Sequence, residues 1–145
     1  MALFGKKQSA ADGRLEALEA EYRNYRRRTV QEMETVGVRS AQKTAAVFLQ
    51  IYDDLQRALN STCSDPAFYQ GIEMIQKNLL AAFSSLDIRP MDSKGKIFNP
   101  DYHEAVEQIS DPRCRAGEIT EVLQTGFTMD EEVIRHAKVI VANCE

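Results

Sequence analysis

Arg14 to Asn60 reads RLEALEAEYRNYRRRTVQEMETVGVRSAQKTAAVFLQIYDDLQRALN, 47 residues with no proline and a single glycine, Gly37. Such a run predicts one long helix, because nothing in it removes a backbone donor or forces a turn. Asp12 precedes it as a plausible N-cap. The apolar positions say what the helix needs. Leu15, Leu18, Tyr22, Tyr25 and Thr29 step by 3, 4, 3 and 4, a heptad seam. Met33, Val36, Ser40, Thr44, Val47, Ile51, Leu55 and Ala58 follow at 4, 3, 4, 4, 3, 4, 4 and 3, a repeat of eleven residues that suits nearly straight helices. At 1.5 Å per residue the rod would span roughly 70 Å. The remaining chain is too small to cover it, since a 100-residue domain has a radius of gyration of only about 13 Å. A seam of that length asks for a second copy of itself, so the expectation is a homodimer paired through Leu15, Leu18, Tyr22, Tyr25, Met33, Val36, Val47, Ile51 and Leu55. Polar Thr29, Ser40 and Thr44 weaken the seam, and Gly37 softens the helix by about 1 kcal/mol relative to alanine.

The chain around this helix divides by character. Residues 1–11 are small, polar and aperiodic, and read as a flexible tail. Ser61 to Ser64 is a turn, and Asp65-Pro66 reads as an N-cap followed by proline in the first helical position. A stripe of Phe68, Ile72, Ile75, Leu79, Ala82, Phe83 and Leu86 predicts a second helix to about Asp87. It should pack back around Phe48, Tyr52 and Leu59, making a four-helix bundle in a dimer. From residue 90 the pattern changes. Gly95, Pro100, Pro112, Gly117 and Gly126 punctuate short runs rich in Val, Ile and Thr, notably Glu118 to Gln124 and Val133 to Val141. These predict a small β-domain, with Val133, Arg135, Ala137, Val139 and Val141 on one face of a single strand and His136 and Lys138 on the other. The fold class is therefore α+β. Helices occupy residues 12–89, and a compact β-domain occupies 90–145.

Composition excludes several functions. The net charge of -4 is uneven: residues 1–60 carry 10 basic against 8 acidic side chains, and residues 98–145 carry 4 against 10. An acidic C-terminal third does not suit a phosphate backbone. Arg23, Arg26, Arg27 and Arg28 with Tyr22 and Tyr25 form a basic aromatic stretch, but its tyrosines lie on the seam and Glu16, Glu19 and Glu21 precede it. A nucleic-acid partner is not expected. Cys63, Cys114 and Cys144 are odd in number and form no CxxC, which argues for free, inert thiols in a reducing compartment and against a zinc site. No apolar run suits a signal peptide or reaches the roughly 20 residues of a bilayer span, so the expected location is the cytoplasm. His103, near Glu104 and Glu107, is read as a capping or packing histidine. No metal, cofactor, phosphate loop, nucleophile elbow or carboxylate pair emerges, and no enzyme activity is expected.

Two stretches are more specific. The first is Phe98-Asn99-Pro100-Asp101-Tyr102-His103-Glu104-Ala105-Val106. The second follows a spacer of nineteen residues, begins with Gly126-Phe127 and ends in Val133-Ile134-Arg135-His136-Ala137-Lys138-Val139-Ile140-Val141. Together, downstream of a long helix, they resemble the signature of the GrpE family. The segments Glu21 to Thr29, Asp54 to Leu59 and Gly71 to Met74 resemble that family's helices as well, and the likeness covers roughly residues 15–142.

The resemblance implies a homodimeric co-chaperone of the stress response. One β-domain would wedge into the nucleotide-binding domain of a DnaK-type chaperone, open its cleft and accelerate ADP release, with adenine nucleotide met only through the chaperone. It implies partner contact at Leu123, Gly126, Phe127, Ile134, Arg135 and Val141 of the β-domain and at Arg57 and Gly71 of the helices. Phe98, Asn99, Pro100, His103 and Ala105 are the family's structural signature positions, with a bracing role for the turn Asn99-Pro100 and for His103. The chain departs from the family at Glu132, where many relatives have Arg, and at His136, where many have Pro. Its N-terminal segment and long helix are also shorter. An alternative compatible with these departures is a coiled-coil dimeric scaffold without exchange activity.

Overall fold

The computed structural model describes the backbone of residues 2–143, with side-chain surroundings from residue 9 onward. Cys144 lies outside the described residues. Helix α1 spans Ala2–Asn60 and helix α2 Pro66–Ser84. Six strands follow: β1 Ile88–Pro90, β2 His103–Ile109, β3 Glu118–Gln124, β4 Phe127–Met129, β5 Glu132–Arg135 and β6 Ala137–Ala142. The architecture is α+β. Helix α1 is continuous through Gly37. It also takes in the segment expected as a tail, since residues 2–13 contain no proline and are rich in the strong helix formers Ala, Leu, Lys and Gln.

Contacts divide the chain into two units at Ala41 and Gln42. The first is a stretch of α1 alone, and its apolar side chains stay exposed: Leu15, Leu18, Tyr22, Tyr25, Met33 and Val36 are all at least half accessible. The second unit holds the rest of α1, the short helix and all six strands. Asp65 caps α2 as its sequence suggests, its carboxylate accepting from the backbone N–H of Ala67 and Phe68.

Within the second unit the strands form two three-stranded sheets. Sheet A has the order β1-β4-β5 and is antiparallel; sheet B has the order β2-β6-β3, with β2 parallel and β3 antiparallel to the central β6. Ala45, Leu49 and Tyr52 of α1 share one core with Phe83, Ile88 and Phe127. Ile119, Ala137, Val139 and Val141 form the core of sheet B. The lower part of α1 packs in one core with sheet A, so residue 89 is not a break in packing. Of the three α1 residues expected under α2, Tyr52 is buried, Leu59 is half-buried and Phe48 stays largely accessible.

The single strand expected over Val133 to Val141 is two strands in two sheets. The chain leaves sheet A at Arg135 and enters sheet B at Ala137, with His136 between them and exposed. The alternation holds only within β6, where Ala137, Val139 and Val141 are fully buried and Lys138 is exposed; Val133, Ile134 and Arg135 of β5 are all half-buried. A period of two specifies which face is covered, not which neighbouring strand supplies the hydrogen bonds.

A candidate partner-binding surface

Exposure sorts the residues that the sequence singled out. Phe127 is fully buried. Its ring meets Tyr52 at 5.1 Å and Phe83 at 5.9 Å, both edge to face, and the Arg135 guanidinium stands 5.7 Å from its centroid. A ring held on three sides is the keystone between α1, α2 and sheet A, and no partner reaches it without opening that core. Gly126 is buried beside it. A Cβ there would stand 2.5 Å from the Ala137 nitrogen and 2.7 Å from Met91 Sδ, so only glycine permits this approach of backbone to backbone. Val141 lies in the sheet B core, and Ile134 packs half-buried against the first core. These four positions are buried or half-buried rather than open at the surface.

Arg135 is also turned inward. Its Nη1 and Nη2 donate to the two carboxylate oxygens of Asp53 on α1 at 2.7 Å each, and its Nε and Nη2 donate to the Thr125 carbonyl. Gln124 Nε2 donates to the same carboxylate at 2.8 Å. Asp53 was not a candidate from sequence, because an aspartate beside Asp54 on a helix reads as solvated.

Leu123, Arg57 and Gly71 remain accessible. Leu123 is the extra residue where the register of β3 on β6 shifts between Val122 and Gln124, and it is half exposed. Bulges re-aim side chains in this way. Leu123 and Arg57 line one cleft of about 520 Å³, together with Gln56, Asn60, Thr125 and Lys138. The exposed pair of Arg57 with Asp54, at 3.1 Å, is worth little in water and leaves the guanidinium free to change partner. Gly71 is exposed on α2, and a Cβ there would meet nothing within 4 Å.

The structural signature positions come together around one turn. Tyr102 and His103 donate their backbone N–H to the Asn99 carbonyl, and Asp101 N–H donates to the Asn99 side chain. The Asn99 backbone N–H donates to His103 Nδ1 at 3.0 Å. Because Nδ1 accepts, the ring proton sits on Nε2 and points at the Oγ of buried Ser93, 3.0 Å away. Burial pushes the His103 pKa below its ordinary 6.5, with smaller contributions from Lys96 and His136, and the bonds require the same neutral ring. Phe98 packs half-buried against the sheet B core and its N–H donates to Gly117. Pro100 sits exposed in the turn, and Ala105 pairs with Val139 in β2. Asn143 was not singled out by sequence. Its side-chain amide ties the 110–114 loop to the end of β6 by donating to the Asp111 and Cys114 carbonyls.

Among the described residues no group of three or more His, Cys, Asp or Glu is placed to hold a metal ion, and no helix is long and apolar enough to cross a membrane. The fold and the surface together define an α+β protein whose exposed features are an apolar helix seam and a cleft beside a small β-domain, the equipment of a protein that acts on other proteins. The family model for GrpE matches residues 1–143. The chain is 38% identical over 134 residues to protein GrpE of Clostridium acetobutylicum, covering 92% of this chain and 66% of that one. It is 37% identical over 128 residues to the Bacteroides fragilis protein GrpE, covering 86% and 66%. With protein GrpE of Chlorobaculum tepidum the identity is 33% over 130 residues, covering 85% and 67%. The chain belongs to the GrpE family, a family of co-chaperones, and spans about two thirds of the length of these relatives.

Proposed function

We propose that this chain is a nucleotide exchange factor. It works as a homodimer in the cytoplasm, binds the nucleotide-binding domain of a DnaK-type chaperone, holds its cleft open and accelerates ADP release. The observation that carries the reading is the family match over residues 1–143, with both halves of the signature present in the sequence. In linkage terms, a factor that prefers the open chaperone must lower the affinity of the closed state's nucleotide by the same factor. No covalent step is needed. The dimer reading is supported by the accessible apolar seam within residues 15–36, and by Val47 and Ile51, which are at least about half exposed. An apolar row left in water by one chain is what a second chain would cover.

The surface that meets the chaperone is proposed to be the cleft wall with Leu123 and Arg57, with Gly71 on α2 offering close approach. Gly126, Phe127, Ile134 and Val141 would hold that wall in shape. The test is release of a fluorescent ADP analogue from the chaperone, with and without this protein. Saturable acceleration supports the reading. No acceleration by a folded dimer on an active chaperone overturns it and leaves the scaffold reading. That alternative draws on Glu132, whose carboxylate accepts from Gln42 of α1 at 2.7 Å and so is engaged within the chain.

A further inference from the structure

Gln42 and Asp53 are eleven residues apart on α1, three turns, and so lie on one face of the helix with Ala45, Leu49 and Tyr52 between them. Strand β5, the edge of sheet A, is tied to both: Glu132 at its start to Gln42, and Arg135 at its end to Asp53. The Asp53 end is half-buried beside the cleft, with side-chain accessibilities of 21% for Arg135 and 13% for Asp53. It is also complete. Asp53 accepts three hydrogen bonds, and Arg135 uses the rest of its fork on the Thr125 carbonyl. A half-buried ion pair adds little net stability compared with apolar packing, and its best-attested use is to select one arrangement over others. Apolar contacts around Phe127 hold sheet A against α1 without specifying its angle, whereas a bidentate fork is directional.

We propose that Asp53 is a positioning residue for exchange. Through Arg135 it clasps sheet A to α1, so that the β-domain meets the chaperone as a rigid wedge and its push is transmitted rather than absorbed by pivoting. This rests on the exchange reading above. Asp53 lines the same cleft as Leu123 and Arg57, but its carboxylate is taken up by Arg135 and Gln124, so its role is to hold rather than to touch, and the titration below separates the two.

The test is Asp53→Asn in the full chain, which keeps volume and removes the charge. ADP release is titrated to saturation with each protein. The expected result is a plateau rate lowered about tenfold, within the range by which residues remote from both ligands modulate coupling, with the half-saturating concentration almost unchanged. An unchanged plateau overturns the clasp, and so does a raised half-saturation point at normal plateau, the mark of a lost contact. If Asp53→Asn loses its helical circular dichroism, Gln124→Ala decides. It removes one of three donors to Asp53, and the plateau should fall about threefold; no change overturns the inference. Wild-type protein that gives no acceleration sinks the exchange reading, and the clasp with it.

Discussion

The stretch of α1 up to Ala41 and the part of the same helix in the unit from Gln42 onward carry one apolar seam, but only the second has a further apolar face that the chain itself covers. In the first, Leu18, Tyr25 and Met33 stand 62%, 65% and 70% exposed. In the second, the seam residues Val47 and Ile51 are still 72% and 48% exposed, and it is the other face, with Leu49 and Tyr52, that is buried, because α2 and sheet A lie against it. Periodicity measures the need for a neighbour and says nothing of whether the chain supplies one. Where it does, stability belongs to the single chain. Where it does not, the apolar row is left to water unless a second molecule covers it.

Phe127→Ala should show the largest effect. Emptying a fully buried aromatic site costs about 3–5 kcal/mol, read as a lower urea midpoint for the second unit by near-ultraviolet circular dichroism. A loss under 1 kcal/mol would mean that the core is not organised around this ring. Leu18→Asp addresses the other region. Charging a seam residue that a partner helix would bury costs about 2 kcal/mol per chain. Sedimentation should show a weakened dimer and helix melting should move to lower temperature, while the β-domain signal stays unchanged. A variant that sediments as wild type would remove Leu18 from the seam.

His103 gives a pH test confined to the second unit. Its folded pKa lies below the unfolded 6.5, so its contribution is fully present above about pH 6.5 and is lost as pH falls through the folded value, when the Asn99 N–H loses its acceptor. Urea midpoints at pH 7.5 and 5.5 should differ more for wild type than for His103→Gln. Equal differences would show that the ring does not carry the dependence. The smallest effect is expected at Gly37, where a Cβ meets nothing within 4 Å. Gly37→Ala should stabilise the first stretch of helix by about 0.5–1 kcal/mol, read as a higher helix melting temperature. Destabilisation would mean that a partner backbone approaches there.

Local signals were legible where their physics is local. The Asp65-Pro66 cap, both helices, the Glu118 to Gln124 strand and the turn at Asn99 rest on capping, proline geometry and alternation, which act within a few residues. The candidate site was legible only in part. Leu123 and Arg57 are accessible, but Gly126-Phe127 is keystone rather than surface, and Arg135 faces Asp53, 82 positions away in sequence. Asp53 itself carries no local mark of its role.

By itself the sequence determined the α+β class, the apolar seam awaiting a cover, and the two signature stretches, because each is written in residue type and spacing. Only the tertiary structure decided that β5 and β6 part at His136 into separate sheets, that Phe127 is held between Tyr52 and Phe83, and that Arg135 closes on Asp53. Those outcomes depend on which surfaces meet once the chain folds back. Apolar burial is non-directional and accepts many pairings, and the choice among them is made by long-range packing and by hydrogen-bond partners that no local pattern names.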